Sequence, residues 1–95
     1  MTANQFVLRP GMHLHLVGIG GSGMSAIARV LLERGYAVSG SDMAENDQTI
    51  ALGEEGAYIA VGHQAPNING AEAVIISSAI PVDNPEVVAA QQAGI

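Results

Sequence analysis

The stretch HLVGIGGSGMSAIARVLLERG, running from His15 to Gly35, constrains the fold of this chain more than any other. An apolar, β-favouring run ends in four glycines within six positions, and an amphipathic run follows at once. Gly18, Gly20 and Gly23 keep the G-x-G-x-x-G spacing, with Gly21 as an extra. Such a stretch reads as a strand, a turn that side chains would obstruct, and a helix opening directly on that turn. The helix starts at Ser22, and its inner face is expected to carry Met24, Ile27, Ala28 and Leu31, spaced i, i+3, i+4 and i+7. Arg29 and Glu33 fall toward the opposite face, and Gly35 supplies the stop at C′.

The same alternation continues. YAVSGSD reads as a second strand ending at Asp42, and DQTIALGEEG as a shorter helix weakened by Gly53 and closed by Gly56. YIAVG reads as strand three, and EAVIISSAI holds strand four. DNPEVVAAQQAGI reads as a helix with Asn84 as N-cap, Pro85 at N1 and Gly94 as its stop. The link GHQAPNINGA, with Pro66 and Gly70, is expected to be loop. Residues 1–11 read as a loosely held, flexible tail ahead of one domain over 12–95. The order β-α-β-α-β-β-α predicts an α/β chain, a Rossmann-like three-layer fold with a mostly parallel sheet. Ligands of such sheets bind beyond the carboxyl ends of the strands, where strand order reverses. Here those ends are Gly18 onward, Ser41–Asp42, Gly62–His63 and Ser77–Ser78.

Charge narrows the choice of ligand. Nine acidic residues face three arginines and no lysine, a formal net charge of −6. Nucleic-acid binding draws on Lys and Arg contacts to phosphate, which this chain cannot supply. Any phosphate at the glycines must be held by backbone N–H groups and a helix N-terminus. The G-x-x-x-x-G-K-[ST] loop is excluded within these residues. Cysteine is absent, which removes disulfides, thiolate metal sites and a thiol nucleophile. MTANQFVLRPGM lacks a basic segment followed by an apolar one, and no apolar run approaches ~18 residues. A soluble, cytoplasmic protein with no membrane partner is expected.

Asp42 lies 19 positions beyond Gly23, where a carboxylate can accept from a ribose or a base. These features alone would describe an NAD(P)-binding domain of an oxidoreductase. Plainer readings stand beside the functional ones. The glycines would let the helix pack closely on strand one, and Asp42 would be a turn residue. His13 and His15, two apart on one strand face, lack an evident third metal ligand and read as structural. Asp83 and Glu86, flanking Asn84, read as capping and dipole-complementing charges of the last helix.

Beyond the glycines, HLVGIGGSGMSAIARVLLERGYAVSGSD, GAYIAVGHQAPNI and AVIISSAIPVDNPEVVAAQQAGI resemble, in order and approximate spacing, the first domain of the Mur ligases. The resemblance covers His15 to Ile95, and within the family it is nearest to the members that join L-alanine to UDP-N-acetylmuramate. It implies a domain that binds the UDP portion of that substrate in peptidoglycan precursor synthesis, and no nicotinamide. By position, Gly18, Ile19, Gly20, Gly21, Ser22, Gly23 and Met24 would form the pyrophosphate loop. Asp42 would lie near the uridine, and His63, in the family's GH pair, would face the nucleotide. Ser77, Ser78, Ala79 and Ile80 would line the crevice from strand four.

The family's ATP-binding G-K-T segment and its two further domains have no counterpart in these residues. By the resemblance, the whole enzyme uses ATP and Mg²⁺ to activate the muramic carboxylate as an acyl phosphate, which the amine of L-alanine then attacks. The chain is therefore expected to be a non-catalytic fragment, truncated before a fifth strand. Its fourth strand would then expose an apolar edge open to self-association. A nucleotide-sensing regulatory domain is the remaining alternative.

Overall fold

Four parallel strands in the order β3-β2-β1-β4 organise residues 7–95, the part of the chain that the computed structural model describes. The elements are β1 (His13–Val17), α1 (Ser22–Glu33), β2 (Ala37–Asp42), α2 (Asp47–Glu54), β3 (Tyr58–Val61), a single 3-10 turn (Ala65–Ile68), β4 (Ala73–Ile75) and α3 (Pro85–Ala93). The sheet is wholly parallel, and the fold is the expected α/β, Rossmann-like one.

Strand register sorts side chains onto two unlike faces. Leu14 pairs with Val38 and Ala73, and Leu16 with Gly40 and Ile75, which makes one face apolar. Met24, Ala28 and Leu31 of α1 and Leu52 of α2 close over that face as the main core. Gly40 is required there, because a Cβ would stand 2.4 Å from the Ile19 side chain. The opposite face carries His13, His15, Ser39 and Ser41, and α3 with the 3-10 turn lies on that side.

Three details differ from the sequence-based expectation. Ile27 is 43% exposed, because it lies about 100° round the helix from Ala28, the centre of the inward stripe. Ser25 takes a buried place instead and bonds its hydroxyl to the Ser22 carbonyl at 3.1 Å. The link after β3 is not plain loop. Pro66 sits early in the 3-10 turn, where a missing N–H costs little, and Gly70 leaves it at φ +82°. Finally, β4 is only three residues long. Ser77 diverts the chain, accepting the Ala79 N–H on its hydroxyl (3.3 Å) and the Ile80 N–H on its carbonyl (3.1 Å).

Of the expected tail, residues 1–6 lie outside the described residues. Arg9 is tethered: its guanidinium pairs with Glu72 at 3.2 Å, and its carbonyl accepts the Met12 N–H at 3.1 Å. Among the described residues no helix is long and apolar enough to cross a membrane.

Candidate functional site

The switch point of this sheet lies between β1 and β4, and the glycine turn stands over it. Most of the turn's own donors are spent on the fold. The N–H groups of Gly18 and Ile19 both donate to the Ser41 carbonyl, at 2.8 and 3.0 Å. Gly21 N–H donates to the Gly18 carbonyl at 3.0 Å, and Gly20 N–H to Asp42 Oδ2 at 2.8 Å. The amides of Ser22, Gly23 and Met24 open α1, where no intrahelical acceptor exists, and they have no other partner among the described residues.

The other two α-helices are capped by side chains. Asn46 and Thr49 form a capping box on α2, and Asn84 accepts from Glu86 N–H on α3. The N-cap of α1 is Gly21, which offers no side chain, and its first turn carries no acidic residue. An uncapped N-terminus of this kind is suited to an anion.

The glycines divide by cause. Gly18 has φ +80°, a left-handed conformation that side chains avoid, and Ile80 Cδ1 would lie 3.1 Å from its Cβ. That contact brings the segment after β4 against the loop after β1. A Cβ on Gly20 would meet Asp42 Oδ2 at 2.8 Å and Asn46 Nδ2 at 2.9 Å. Gly23 differs: no atom lies within 4 Å of a Cβ built there, so nothing within the described residues demands glycine. In an early helical position glycine costs up to about 1 kcal/mol against alanine. Tight packing therefore explains Gly20 but not Gly23.

The structure brings several of the expected residues together, though not all through their side chains. Ile19 and Met24 point into the core, so only their main chain is available to a ligand. Asp42 holds the glycine loop, with Oδ2 on Gly20 N–H and Oδ1 on Met43 N–H at 2.8 Å. His63 follows β3 beside the end of β2, and its Nδ1 lies 2.8 Å from Ser41 Oγ. Ser77, Ser78, Ala79 and Ile80 lie beyond β4 in the turn that Ser77 creates.

Glu86 is more than a helix-end charge. It is fully buried, and its Oε1 accepts from His15 Nε2 and from Ser41 Oγ, both at 2.7 Å. Its Oε2 accepts from Asn67 Nδ2 at 2.7 Å and from Gln64 N–H at 3.1 Å. Ser39 Oγ then bridges His15 Nδ1 and His13 Nε2, each at 2.7 Å. Burial pushes the Glu86 carboxyl up, but the bonds from Ser41, Asn67, His15 and Gln64 outweigh it and hold the group below its ordinary range. Burial lowers His15 against the pull of Glu86, so the imidazole is neutral at pH 7. Asp83, by contrast, is exposed. A signal for this network existed in the sequence: HLHLV and AVSGSD place polar residues at every second position, as a polar cluster on one sheet face requires.

A cavity of about 700 Å³ lies at the other pole, among His13, Ser39, Tyr58, Asn67 and Asn69 at the amino ends of the strands. Parallel sheets bind ligands at the opposite end, and among the described residues no α-helix begins in the lining of this gap.

The model of the Mur ligase family, catalytic domain, matches residues 13–95. The chain is 58% identical over 83 residues to the UDP-N-acetylmuramate–L-alanine ligase of Burkholderia cenocepacia (strain HI2424), covering 87% of this chain and 18% of that protein. Among solved structures it is similar to the UDP-N-acetylmuramate-alanine ligase of Thermotoga maritima, with TM-score 0.85 and 40% identity over 88% of this chain and 20% of that one. A murein peptide ligase from Psychrobacter arcticus matches with TM-score 0.82 and 25% identity, covering 90% of this chain and 18% of that one. The chain thus spans under a fifth of the length of the curated relative. From the matched family model and the shared fold, the chain belongs to the Mur ligase family.

Proposed function

We propose that this chain binds the UDP portion of UDP-N-acetylmuramate, as the nucleotide-holding part of a cytoplasmic ligase that joins L-alanine to that substrate. One observation carries the reading: α1 opens with the amides of Ser22, Gly23 and Met24, which have no partner among the described residues, and nothing within those residues demands glycine at position 23. A pyrophosphate laid on those amides would need no lysine, and the chain has none. Around it, Asp42 and His63 would meet the uridine and ribose. Ser77, Ser78, Ala79 and Ile80 would close the crevice from the β4 side.

The ligase reaction would also require ATP and Mg²⁺ to activate the muramic carboxylate. The residues here do not fit that role. No lysine is available to a triphosphate, and among the described residues no three His, Asp or Glu side chains gather as a metal site. No step of acyl transfer is therefore assigned to them. The test is amide NMR during a UDP titration. Shifts concentrated at residues 18–24, Asp42, His63 and residues 77–80 support the reading. Shifts confined to the cavity around Tyr58 and Asn69 would overturn it.

A further inference from the structure

We propose that Glu86, acting through Ser41, fixes which nitrogen of His63 carries the proton, and so makes His63 a hydrogen-bond acceptor toward the bound nucleoside. The inference rests on the reading of His63 as a nucleotide contact, but its first test needs no ligand.

The proton order follows from counting donors. Gln64 N–H and the Asn67 amide can only donate, so Glu86 Oε2 is an acceptor twice over. Oε1 takes His15 Nε2 and Ser41 Oγ. A carboxylate donates nothing, so the single hydroxyl proton of Ser41 points to Oε1. Ser41 Oγ then has only lone pairs left for His63 Nδ1, 2.8 Å away, and Nδ1 must carry the hydrogen of that bond. In the neutral ring, Nε2 is left as a bare acceptor.

That acceptor is reachable. No buried side-chain nitrogen or oxygen among the described residues lacks a hydrogen-bond partner. Nε2 of His63 has no such partner among the described residues, so this atom is not fully buried, in a side chain that is 12% exposed. Gly62 N–H on the Asp42 carbonyl, at 2.7 Å, pins the preceding residue to the end of β2. A fixed acceptor at this place discriminates by polarity. It suits the imide N–H of a base or a ribose hydroxyl and disfavours phosphate oxygens, which only accept. Glu86 and Ser41 are thus positioning residues, whose effect reaches the ligand through His63.

The experiment is long-range ¹H–¹⁵N NMR of the imidazoles at about pH 8, above the ordinary histidine range. His63 should show a protonated Nδ1 and a bare Nε2 without ligand. In Ser41→Ala, and separately in Glu86→Gln, the other tautomer should appear. UDP affinity in Ser41→Ala should fall about five- to tenfold, the value of one hydrogen bond, with circular dichroism unchanged. N3-methyl-UDP, 2′-deoxy-UDP and 3′-deoxy-UDP identify the donor, and weakening of any one supports the acceptor role. A protonated Nε2 in the unaltered protein, an unchanged tautomer in both variants, or undiminished affinity for all three analogues overturns the proposal. Failure of the unaltered protein to bind UDP, with the Nδ1–H tautomer present, would sink the nucleotide reading and the acceptor role; the NMR arm decides the proton assignment separately.

Discussion

Asp42 Oδ2 accepts the backbone N–H of Gly20 at 2.8 Å, so the carboxylate at the end of β2 braces the glycine loop at the end of β1. Asn46 completes the brace by donating its amide to the Gly20 carbonyl at 3.1 Å. Two strand ends and the cap of α2 therefore share one small cluster, with Gly20 at its centre.

Gly20→Val would drive a Cβ to within 2.8 to 3.0 Å of the side chains of Asp42, Asn46 and Thr49. The obstacle is collision with side chains, since Gly20 is not among the glycines with positive φ. The variant should lose UDP affinity by at least tenfold and about 1–3 kcal/mol of stability while keeping its helical circular dichroism. Titration calorimetry and urea unfolding measure both effects, and wild-type affinity would make the loop purely structural.

Much of this fold is legible in the sequence because local chemistry decides it. The glycine turn, the start of α1, the end of β2 at Asp42 and the Asn84-Pro85 opening of α3 all follow from residues that restrict their own neighbourhood. Ile27 and the length of β4 do not, because each depends on how elements meet. The role of Glu86 is hidden for a similar reason. In DNPEVV it reads as an ordinary first-turn acid, and only the crossing of α3 over His15 and Ser41 makes it a buried hub.

Acid should destabilise the protein in two stages. His15 is held below its ordinary value of 6.5, so between the two values the unfolded chain binds more protons and stability falls as pH drops through 6.5. Glu86 is held below its ordinary 4.5, which has the same sign and adds a second loss below pH 4.5. Glu86, His13 and His63 are the titratable groups that act on His15. Melting temperatures across this range should decline in both windows, and His15→Gln should flatten the upper one. An unchanged upper slope in that variant would contradict the assignment.

Self-association through β4 should be weak. Its outer side faces an open groove of about 650 Å³ lined by residues 72–76, Gly94 and Ile95. Because the strand is Ala73–Ile75 alone, it offers a short template for edge pairing. Sedimentation over a concentration series should show dimers only toward ~1 mM, the affinity of an interface worth about 4 kcal/mol. A monomer throughout would leave this edge without a pairing role.

The most direct measurement is calorimetric titration of the protein with UDP and, in parallel, with NAD. Three amides offering charge-assisted bonds of about 1.5–3 kcal/mol each, set against the entropy of association, predict a UDP Kd of ~0.1–1 mM. UDP is expected to bind in this range, and NAD to give no saturable heat. Binding of NAD as tightly as UDP, or more tightly, would contradict that expectation.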